Sequence, residues 1–226
     1  MRKMSFFRYI YGIVVNLPLG IFVSFYIYKK LPGSGAFRVL LYIPSIVSGI
    51  VMALMYQKFT ELAIPELVLK TFGTTIKGLF ENPDTQLFAL LFYSTVFGLG
   101  GNVLLYSDNM GAIDQEMVES AHLDGAEGVK EFWYITFPSI YPLFSTFIVT
   151  GVVGIFTADL GLFAFWGTSA PTRLSTYGYY LYIMTLTSNE SGYPYLAALG
   201  LILTCVAVPL TFLVRWAMEK WGPSED

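Results

Sequence analysis

The residues that most often perform chemistry are scarce in this chain. Its only histidine, His122, lies in a polar stretch where we expect it to be solvated, and its only cysteine, Cys205, lies in a long apolar block. A nucleophile needs a neighbouring base and a metal site needs several ligands, so neither an intramembrane protease nor a His-based metal site is predicted. No glycine loop followed by Lys and Ser or Thr is present to hold a phosphate. The sequence therefore predicts no catalytic residue, no metal and no cofactor bound by this chain.

A polar stretch, residues 108–138, carries the clearest local pattern. Asp114 is a typical helix N-cap, and an apolar side follows it in the predicted helix, formed by Met117, Val118 and Ala121. A helix of this kind outside a membrane needs a surface to pack against. Its own bundle and the lipid headgroups are two such surfaces, and a partner protein is a third.

The pattern restarts after this first helix. Asp124 stands three residues before Glu127, which predicts a capping box and the start of a second short helix. Between them Gly125 permits backbone angles that would strain other residues. The second helix has an apolar face of its own, formed by Val129, Phe132 and Trp133.

The composition places these elements beside a membrane. With 13 basic and 16 acidic residues among 226, the charged fraction is 13%, about half of what a soluble domain carries. The apolar residues fall in uncharged blocks long enough to cross the hydrocarbon core, which takes about 20 residues. These blocks are residues 9–28, 39–57, 85–107, 139–158 and 191–214. A net charge of −3 and a single cysteine give no basis for a nucleic-acid binder or a disulfide-rich secreted domain.

Each uncharged block is predicted to be one α-helix, because the bilayer core offers no partner for free backbone groups. The fold class is therefore all-α, a polytopic membrane helix bundle. The first block follows Arg2, Lys3 and Arg8 but is long enough to span, so we interpret it as a retained helix rather than a cleaved signal. Prolines are predicted to kink several helices, at Pro18, Pro44, Pro142 and Pro209.

Polar side chains within the blocks are candidates for a solute pathway. Those selected are uncharged and lie inside spans: Asn16, Ser48, Gln57, Thr95, Asn102 and Thr150. Hydrogen bonding to a neighbouring helix is the alternative role for each of them. Neutral donors and acceptors suit the hydroxyls of a sugar, whereas an ionic solute calls for a fixed charge.

Two further candidates lie near the ends of spans. Asp159 follows the fourth block, where it is either hydrated at the surface or lines a solute vestibule. Tyr179 belongs to a group of aromatic residues in the last long loop, which form either an interfacial belt or a surface for a sugar ring or a binding protein.

The polar stretch resembles the EAA loop of ABC-importer permeases, whose pattern is E-A-A-x3-G-x9-I-x-L-P. The matching positions are Glu119, Ser120, Ala121, Gly125, Ile135 and Pro138. Ser120 and Phe137 depart mildly from that pattern. The carbohydrate-uptake branch is the most similar, on the basis of Asp124, Gly125, Ala126, Phe132, Ile135, Pro138 and Pro142, and of the earlier stretch from Gly35 to Pro44.

The resemblance implies a single permease domain over residues 1–226 with five transmembrane helices, the minimal core of the type I family. Members of the sugar branch usually have one more helix before the span that begins here at Tyr9. The chain would lie in the prokaryotic plasma membrane, with its N-terminus outside and its C-terminus in the cytoplasm. Counting Lys and Arg on each side, without the first eight residues, also favours this orientation, by six to four.

The resemblance also implies partners. They are a second permease subunit, identical or similar, an extracytoplasmic solute-binding protein, and a cytoplasmic ATPase dimer that uses ATP and Mg. In this family the EAA loop docks into the ATPase, which assigns coupling to Glu119, Ser120, Ala121, Asp124, Gly125, Ala126, Phe132, Ile135 and Pro138. The function implied is ATP-driven import of a sugar or oligosaccharide. The alternatives are a permease for another solute class and a scaffolding membrane protein without transport.

Overall fold

The computed structural model describes residues 2–223, and every regular element within that range is a helix. This confirms the predicted all-α class. The α-helices are α1 (Arg2–Tyr11), α2 (Leu17–Tyr28), α3 (Ser34–Ile46), α4 (Gly49–Lys58), α5 (Ile64–Phe72), α6 (Pro83–Gly111), α7 (Gln115–Leu123), α8 (Val129–Glu131), α9 (Phe137–Thr157), α10 (Leu162–Trp166), α11 (Tyr177–Thr187) and α12 (Tyr193–Trp221).

Four helical stretches are long and apolar enough to cross a membrane. They are Lys3–Tyr28, Pro83–Gly111, Val129–Trp166 and Glu190–Trp221. The predicted blocks 9–28, 85–107, 139–158 and 191–214 each fall inside one of them, and each helix extends beyond its block. The extensions carry charged residues, which the uncharged blocks excluded by definition.

The second predicted block differs from the structure. One α-helix over residues 39–57 is wrong, because the helix ends at Ile46 and α3 and the stretch from α4 to α5 meet at an angle of 106°. Val47 and Ser48 adopt extended backbone angles at this corner. A β-branched residue followed by Ser48 and Gly49 is a run of weak helix formers, so the corner costs little helix stability. The block looked continuous because none of these residues is charged.

Three wide turns of π type join α-helices without a break. They are Gly12–Asn16, Phe59–Ala63 and Phe132–Thr136. Each is followed by a proline at the second position of the next α-helix, namely Pro18, Pro65 and Pro138. Proline lacks an N–H and its ring collides with the carbonyl four residues earlier, so an extra residue in the preceding turn lets the helix continue past it.

The bundle has two ends with different contents. One end, called here the α7 end, holds α7, residues 29–33 and the ion pair between Arg38 and Asp108. The opposite end holds the start of α1, residues 73–82 and the segment from 158 to 192, which pack together in one apolar cluster. The helices between the two ends approach closely where glycine allows it. Gly100 lies directly against the carbonyl of Leu41, and a Cβ on Gly151 would lie 2.9 Å from the ring of Tyr9.

Candidate functional site

The α7 helix is short and has a defined cap at each end. The Asp114 carboxylate accepts a hydrogen bond from the N–H of Glu116 at 3.0 Å, which confirms the predicted N-cap. At the other end, Gly125 has a φ of +77°, and its N–H donates to the carbonyl of His122 at 3.0 Å. The N–H of Ala126 donates to the carbonyl of Ala121 at 2.9 Å. This pair of bonds is the Schellman arrangement, in which a left-handed glycine ends a helix.

The predicted start of the second helix at Asp124 is wrong. Asp124 is the C-cap residue of α7. The next helix begins at Val129, after Gly128, whose φ is +58°. The Schellman turn occupies residues 124–126, so they are not free to cap another helix. From Val129 the chain runs through the π turn into α9. The second half of the polar stretch is therefore the N-terminal part of the fourth span.

One side of α7 faces the bundle and the other faces outward. Val118 and His122 are half-buried and line a cavity of about 620 Å³ between α7 and the ends of α2, α3 and α6. Met117 and Leu123 point outward with exposed fractions of 46% and 90%. The predicted apolar side is thus split between inward and outward faces, since Met117 is exposed while Val118 and Ala121 are half-buried.

A buried carboxylate fastens α7 to the bundle. Glu131 has a side chain only 1% exposed, and its Oε2 accepts from the Lys29 Nζ and, at 2.9 Å, from the His122 Nε2. Its Oε1 has no partner among the described residues. We call Lys29, His122 and Glu131 the Glu131 junction. It joins the end of α2, the end of α7 and the start of the fourth span.

The junction corrects the expectation that His122 is a solvated loop residue. Its ring is half-buried against Glu131 because α7 folds back over α8. The three members lie at positions 29, 122 and 131, so no local spacing indicates the contact. A signal was present in the composition of the stretch, since Glu131 stands beside the apolar residues from Phe132 onward and must find a partner if it folds inward.

The residues assigned to coupling fall into two groups. Glu119, Ser120, Asp124 and Gly125 are exposed on α7 and its cap, and Ala121 and Ala126 are half-buried. In contrast, Phe132 and Ile135 are buried in the bundle, and Pro138 opens α9. The ring of Phe132 packs against Phe25 and Phe22 of α2 at 5.1 and 5.9 Å between centroids. The second group, Phe132, Ile135 and Pro138, therefore belongs to the part of the bundle on which α7 packs. The remaining coupling residues lie on α7 and its C-terminal cap.

A second candidate site lies inside the bundle, between α1, α6 and α9. It is a cavity of about 270 Å³, called here the mid-span cavity. Polar side chains of its lining include Arg8, Tyr11, Asn16, Ser94 and Asn102. Behind this lining, the buried hydroxyl of Thr95 donates to the Asn16 Oδ1 at 2.8 Å and lies 2.8 Å from the Tyr11 hydroxyl.

The structure brings only some of the predicted pathway residues to this cavity. Asn16 and Asn102 line it, and Thr95 supports Asn16. Five others lie away from its lining. Ser48 is at the corner between α3 and α4, and the side chain of Gln57 donates to Glu61. Thr150 donates to the carbonyl of Thr146 on the exposed side of α9. Asp159 accepts from the N–H of Gly161, and the hydroxyl of the buried Tyr179 donates to the carbonyl of Gly167.

Arg8 is the lining residue that sequence reasoning missed. The first uncharged block begins at Tyr9 because Arg8 is charged, yet α1 begins at Arg2 and carries Arg8 within the span. A fixed positive charge therefore lies in the cavity. Its guanidinium donates to the carbonyl of Gly154 on α9 at 3.3 Å.

Comparison with known proteins identifies the family. The family described as "binding-protein-dependent transport system inner membrane component" matches residues 16–223. This chain belongs to that family. The match covers the fourth and fifth spans, α6, α7 and all of α2, so it includes both candidate sites apart from the lining residues of the cavity that precede Asn16. The family predicted from the EAA-like spacing is confirmed, and the chain is a multi-pass membrane permease.

Individual relatives are more distant. The chain is 25% identical over 207 residues to the arabinooligosaccharides transport system permease protein AraP of Bacillus subtilis, covering 89% of this chain and 65% of AraP. It is 25% identical over 195 residues to the multiple sugar-binding transport system permease protein MsmF of Streptococcus mutans, covering 84% and 66%. The chain thus spans about two thirds of the length of these relatives.

A solved structure shares the fold of this permease. It is a chain of a bacterial alginate ABC transporter in complex with an alginate pentasaccharide-bound periplasmic protein. The two chains superpose with a TM-score of 0.78 at 16% sequence identity, covering 94% of this permease and 75% of the other chain.

Proposed function

We propose that this permease is the transmembrane subunit of an ATP-driven importer that moves a sugar or oligosaccharide into the cytoplasm. The sugar is supported by AraP and MsmF, whose names both specify sugar transport. ATP hydrolysis takes place on a separate ATPase dimer that uses ATP and Mg. A second permease subunit completes the pathway, and an extracytoplasmic binding protein delivers the solute.

The single observation that carries this proposal is the outward face of α7. Leu123 is 90% exposed at the tip of a helix that is capped at both ends and tied to the bundle by Glu131. A large apolar side chain held out in this way, beside the exposed Met117, is typical of a surface that is covered in an assembly. The exposed Glu119 and Ser120 next to it supply polar contacts for the ATPase.

Docking is tested by placing a charge on this face. We expect Leu123→Asp to lower the affinity for the ATPase by about two to three orders of magnitude, because an unpaired charge would be buried in the contact. The measurement is retention of the ATPase by the solubilised permease during size-exclusion chromatography. Thr74→Asp at the opposite end is the matched control and should retain the ATPase. Equal retention in the two variants would show that α7 is not the docking element.

Orientation is tested separately. The proposal places α7 and the C-terminus in the cytoplasm of a prokaryotic cell and the N-terminus outside. In a Cys205→Ala background, Thr74→Cys should react with an impermeant thiol reagent added to intact cells, and Glu127→Cys should not. Both positions are exposed in the structure, so burial does not explain a difference between them. The reverse labelling pattern would refute the cytoplasmic position of α7.

A further inference from the structure

A charged side chain within a membrane span is costly, and such residues usually face a partner or a polar cavity. Arg8 is the basic residue of the first span that lies among the helices, half-buried between α1 and α9. It does not reach the surface by extending along the helix, because its guanidinium turns toward Gly154 of α9 and lines the mid-span cavity.

The protein provides hydrogen-bond acceptors for few of the N–H groups of this guanidinium. Arginine has five N–H donors, and within residues 2–223 one bond of 3.3 Å to the carbonyl of Gly154 uses one of them. No carboxylate of the described residues lies within ion-pair distance of it. Asp159 is the acidic residue near enough to act on Arg8 through its charge, and its Oδ1 already accepts from the N–H of Gly161. Most donors of Arg8 therefore have no partner among the described residues, while its side chain lines the cavity.

The rest of the cavity suits a carbohydrate. The side chains of Asn16, Asn102, Ser94 and Tyr11 offer neutral donors and acceptors, and Ile13, Leu17 and Phe147 supply an apolar wall. A volume of about 270 Å³ lies just under the range of about 300–1,000 Å³ that holds a drug-sized ligand, so it suits one sugar unit.

We propose that the mid-span cavity is a subsite for a sugar unit that carries a carboxylate, with Arg8 binding the carboxylate and Asn16 and Asn102 binding hydroxyls. This inference rests on the proposed function and specifies its solute class as a uronic acid or a saccharide that contains one. A carboxylate carries a single negative charge, which one arginine can balance. The nearby charge of Asp159 lowers the positive potential at Arg8 and so disfavours a ligand of higher negative charge. A phosphate ester carries about −1.5 to −2 and matches this site less well.

The test uses a reporter cysteine in the purified, solubilised permease. Gly98 lines the cavity, and a Cβ added there would meet no atom within 4 Å, so Gly98→Cys in a Cys205→Ala background fits without distortion. Gly101→Cys, on the same helix but outside the cavity, is the matched control, and its Cβ is equally free. The rate of maleimide labelling is measured with glucuronate, glucose, inorganic phosphate or phosphatidylglycerol micelles at matched ionic strength.

We expect glucuronate to slow labelling of Gly98→Cys and not of Gly101→Cys, with glucose at the same concentration giving much weaker protection. Arg8→Gln should weaken the glucuronate effect about tenfold or more, as expected for loss of a charge-assisted hydrogen bond, and Arg8→Lys should restore part of it. The comparison of glucuronate with glucose on an unchanged Arg8 needs no variant at this position, so misfolding of Arg8→Gln would not obscure the result.

Three results would overturn the proposal. They are equal protection by glucose and glucuronate, protection by none of the probes, and protection by phosphate or by the anionic lipid but not by glucuronate. The assay contains neither ATPase nor binding protein, so its failure leaves the docking result on α7 unaffected. Loss of ATPase retention in wild-type permease would instead contradict the proposed function.

Discussion

The contacts that hold residue 80 and α10 at one end of the bundle differ in kind from the contact that ties α7 to the other end. At the opposite end, an aromatic cluster joins α4, α6, α10 and residue 80, and its members are Tyr56, Phe80, Tyr93, Phe97, Phe165 and Trp166. Phe80 and Phe165 stack with centroids 4.7 Å apart. At the α7 end, the Glu131 junction holds three elements through one carboxylate oxygen.

The difference predicts how each end responds when one of its elements is displaced. Aromatic packing depends on many small contacts and changes little when one of them lengthens. A junction through a single oxygen is directional, and displacement of α7 would break the bond from His122 before it disturbed the packing around α2. We therefore expect the aromatic cluster to control stability and the Glu131 junction to control coupling.

The largest expected effect comes from the aromatic cluster. Phe80 is 3% exposed, and Phe80→Ala should lower the free energy of unfolding by about 3–5 kcal/mol, the usual cost of truncating a buried aromatic residue. Thermal unfolding in detergent, followed by near-UV circular dichroism, measures the change. Phe92→Ala is the control, since Phe92 is 48% exposed at the rim of the same cluster. Equal losses in the two variants would show that packing around Phe80 is not what stabilises this end.

The Glu131 junction should give a smaller loss of stability and a larger loss of coupling. In Glu131→Gln, Lys29 loses its counter-charge, which we expect to cost about 1–3 kcal/mol of unfolding free energy. Solute stimulation of ATP hydrolysis in the reconstituted importer should fall while basal hydrolysis persists. Glu66→Gln is the control, because the Glu66–Lys70 pair is exposed on both sides and contributes little. Normal stimulation in Glu131→Gln would remove the distinction between the two ends.

The cap of α7 should give the next effect. A φ of +77° at Gly125 disfavours any residue with a Cβ, so Gly125→Val should strain the turn by about 1–2 kcal/mol. The strain is confined to an exposed turn, and we expect the permease to remain in the membrane while ATP-driven uptake is lost. Gly111→Val, at an exposed helical position with no atom within 4 Å of the added Cβ, should retain uptake. Uptake at the wild-type rate in Gly125→Val would contradict a coupling role for the cap.

The smallest effects should have opposite signs at the two ends. The hydroxyl of Tyr106, in the apolar cluster near the α7 end, is buried without a partner among the described residues, so Tyr106→Phe should be neutral or stabilise by up to about 1 kcal/mol. The hydroxyl of Tyr56 donates to the carbonyl of Ala89 at 3.1 Å, so Tyr56→Phe should cost about 1 kcal/mol. Paired thermal unfolding curves measure both changes. A loss of stability in Tyr106→Phe would indicate that its hydroxyl has a partner after all.

Four of the five predicted blocks fall inside long apolar helical stretches, because hydropathy acts along one helix at a time. The N-cap at Asp114 was predicted for the same reason, since a cap involves residues two or three positions apart. The capping box at Asp124 failed because two helix-end motifs overlapped there, and the left-handed conformation of Gly125 decided between them. The corner at Ser48 was missed because hydropathy does not distinguish uncharged weak helix formers from strong ones.

The contacts of the two candidate sites were harder to predict because the residues that meet there are remote in sequence. His122 and Lys29 meet on Glu131 only when α7, α8 and α2 are assembled. Arg8 was excluded from the first predicted span because it is charged, yet α1 carries it into the lining of the cavity. Asn16 and Asn102 were selected because an amide within a span is conspicuous without knowledge of its neighbours, and both line the cavity.

The π turn at Gly12–Asn16 also decides how the first span tolerates insertions and deletions. A π turn accommodates one residue more than an α-helical turn within nearly the same rotation, so deletion of one residue there would restore an ordinary turn and leave α1 in nearly the same orientation relative to α2. In an unbroken α-helix, by contrast, the same deletion would rotate the preceding segment by about 100°. Arg8 should therefore stay at the mid-span cavity, whereas Pro18 would then follow an ordinary turn, in which its ring collides with the carbonyl four residues earlier. A one-residue deletion scan of Gly12–Asn16 should thus disturb the helix at Pro18 more than the position of Arg8.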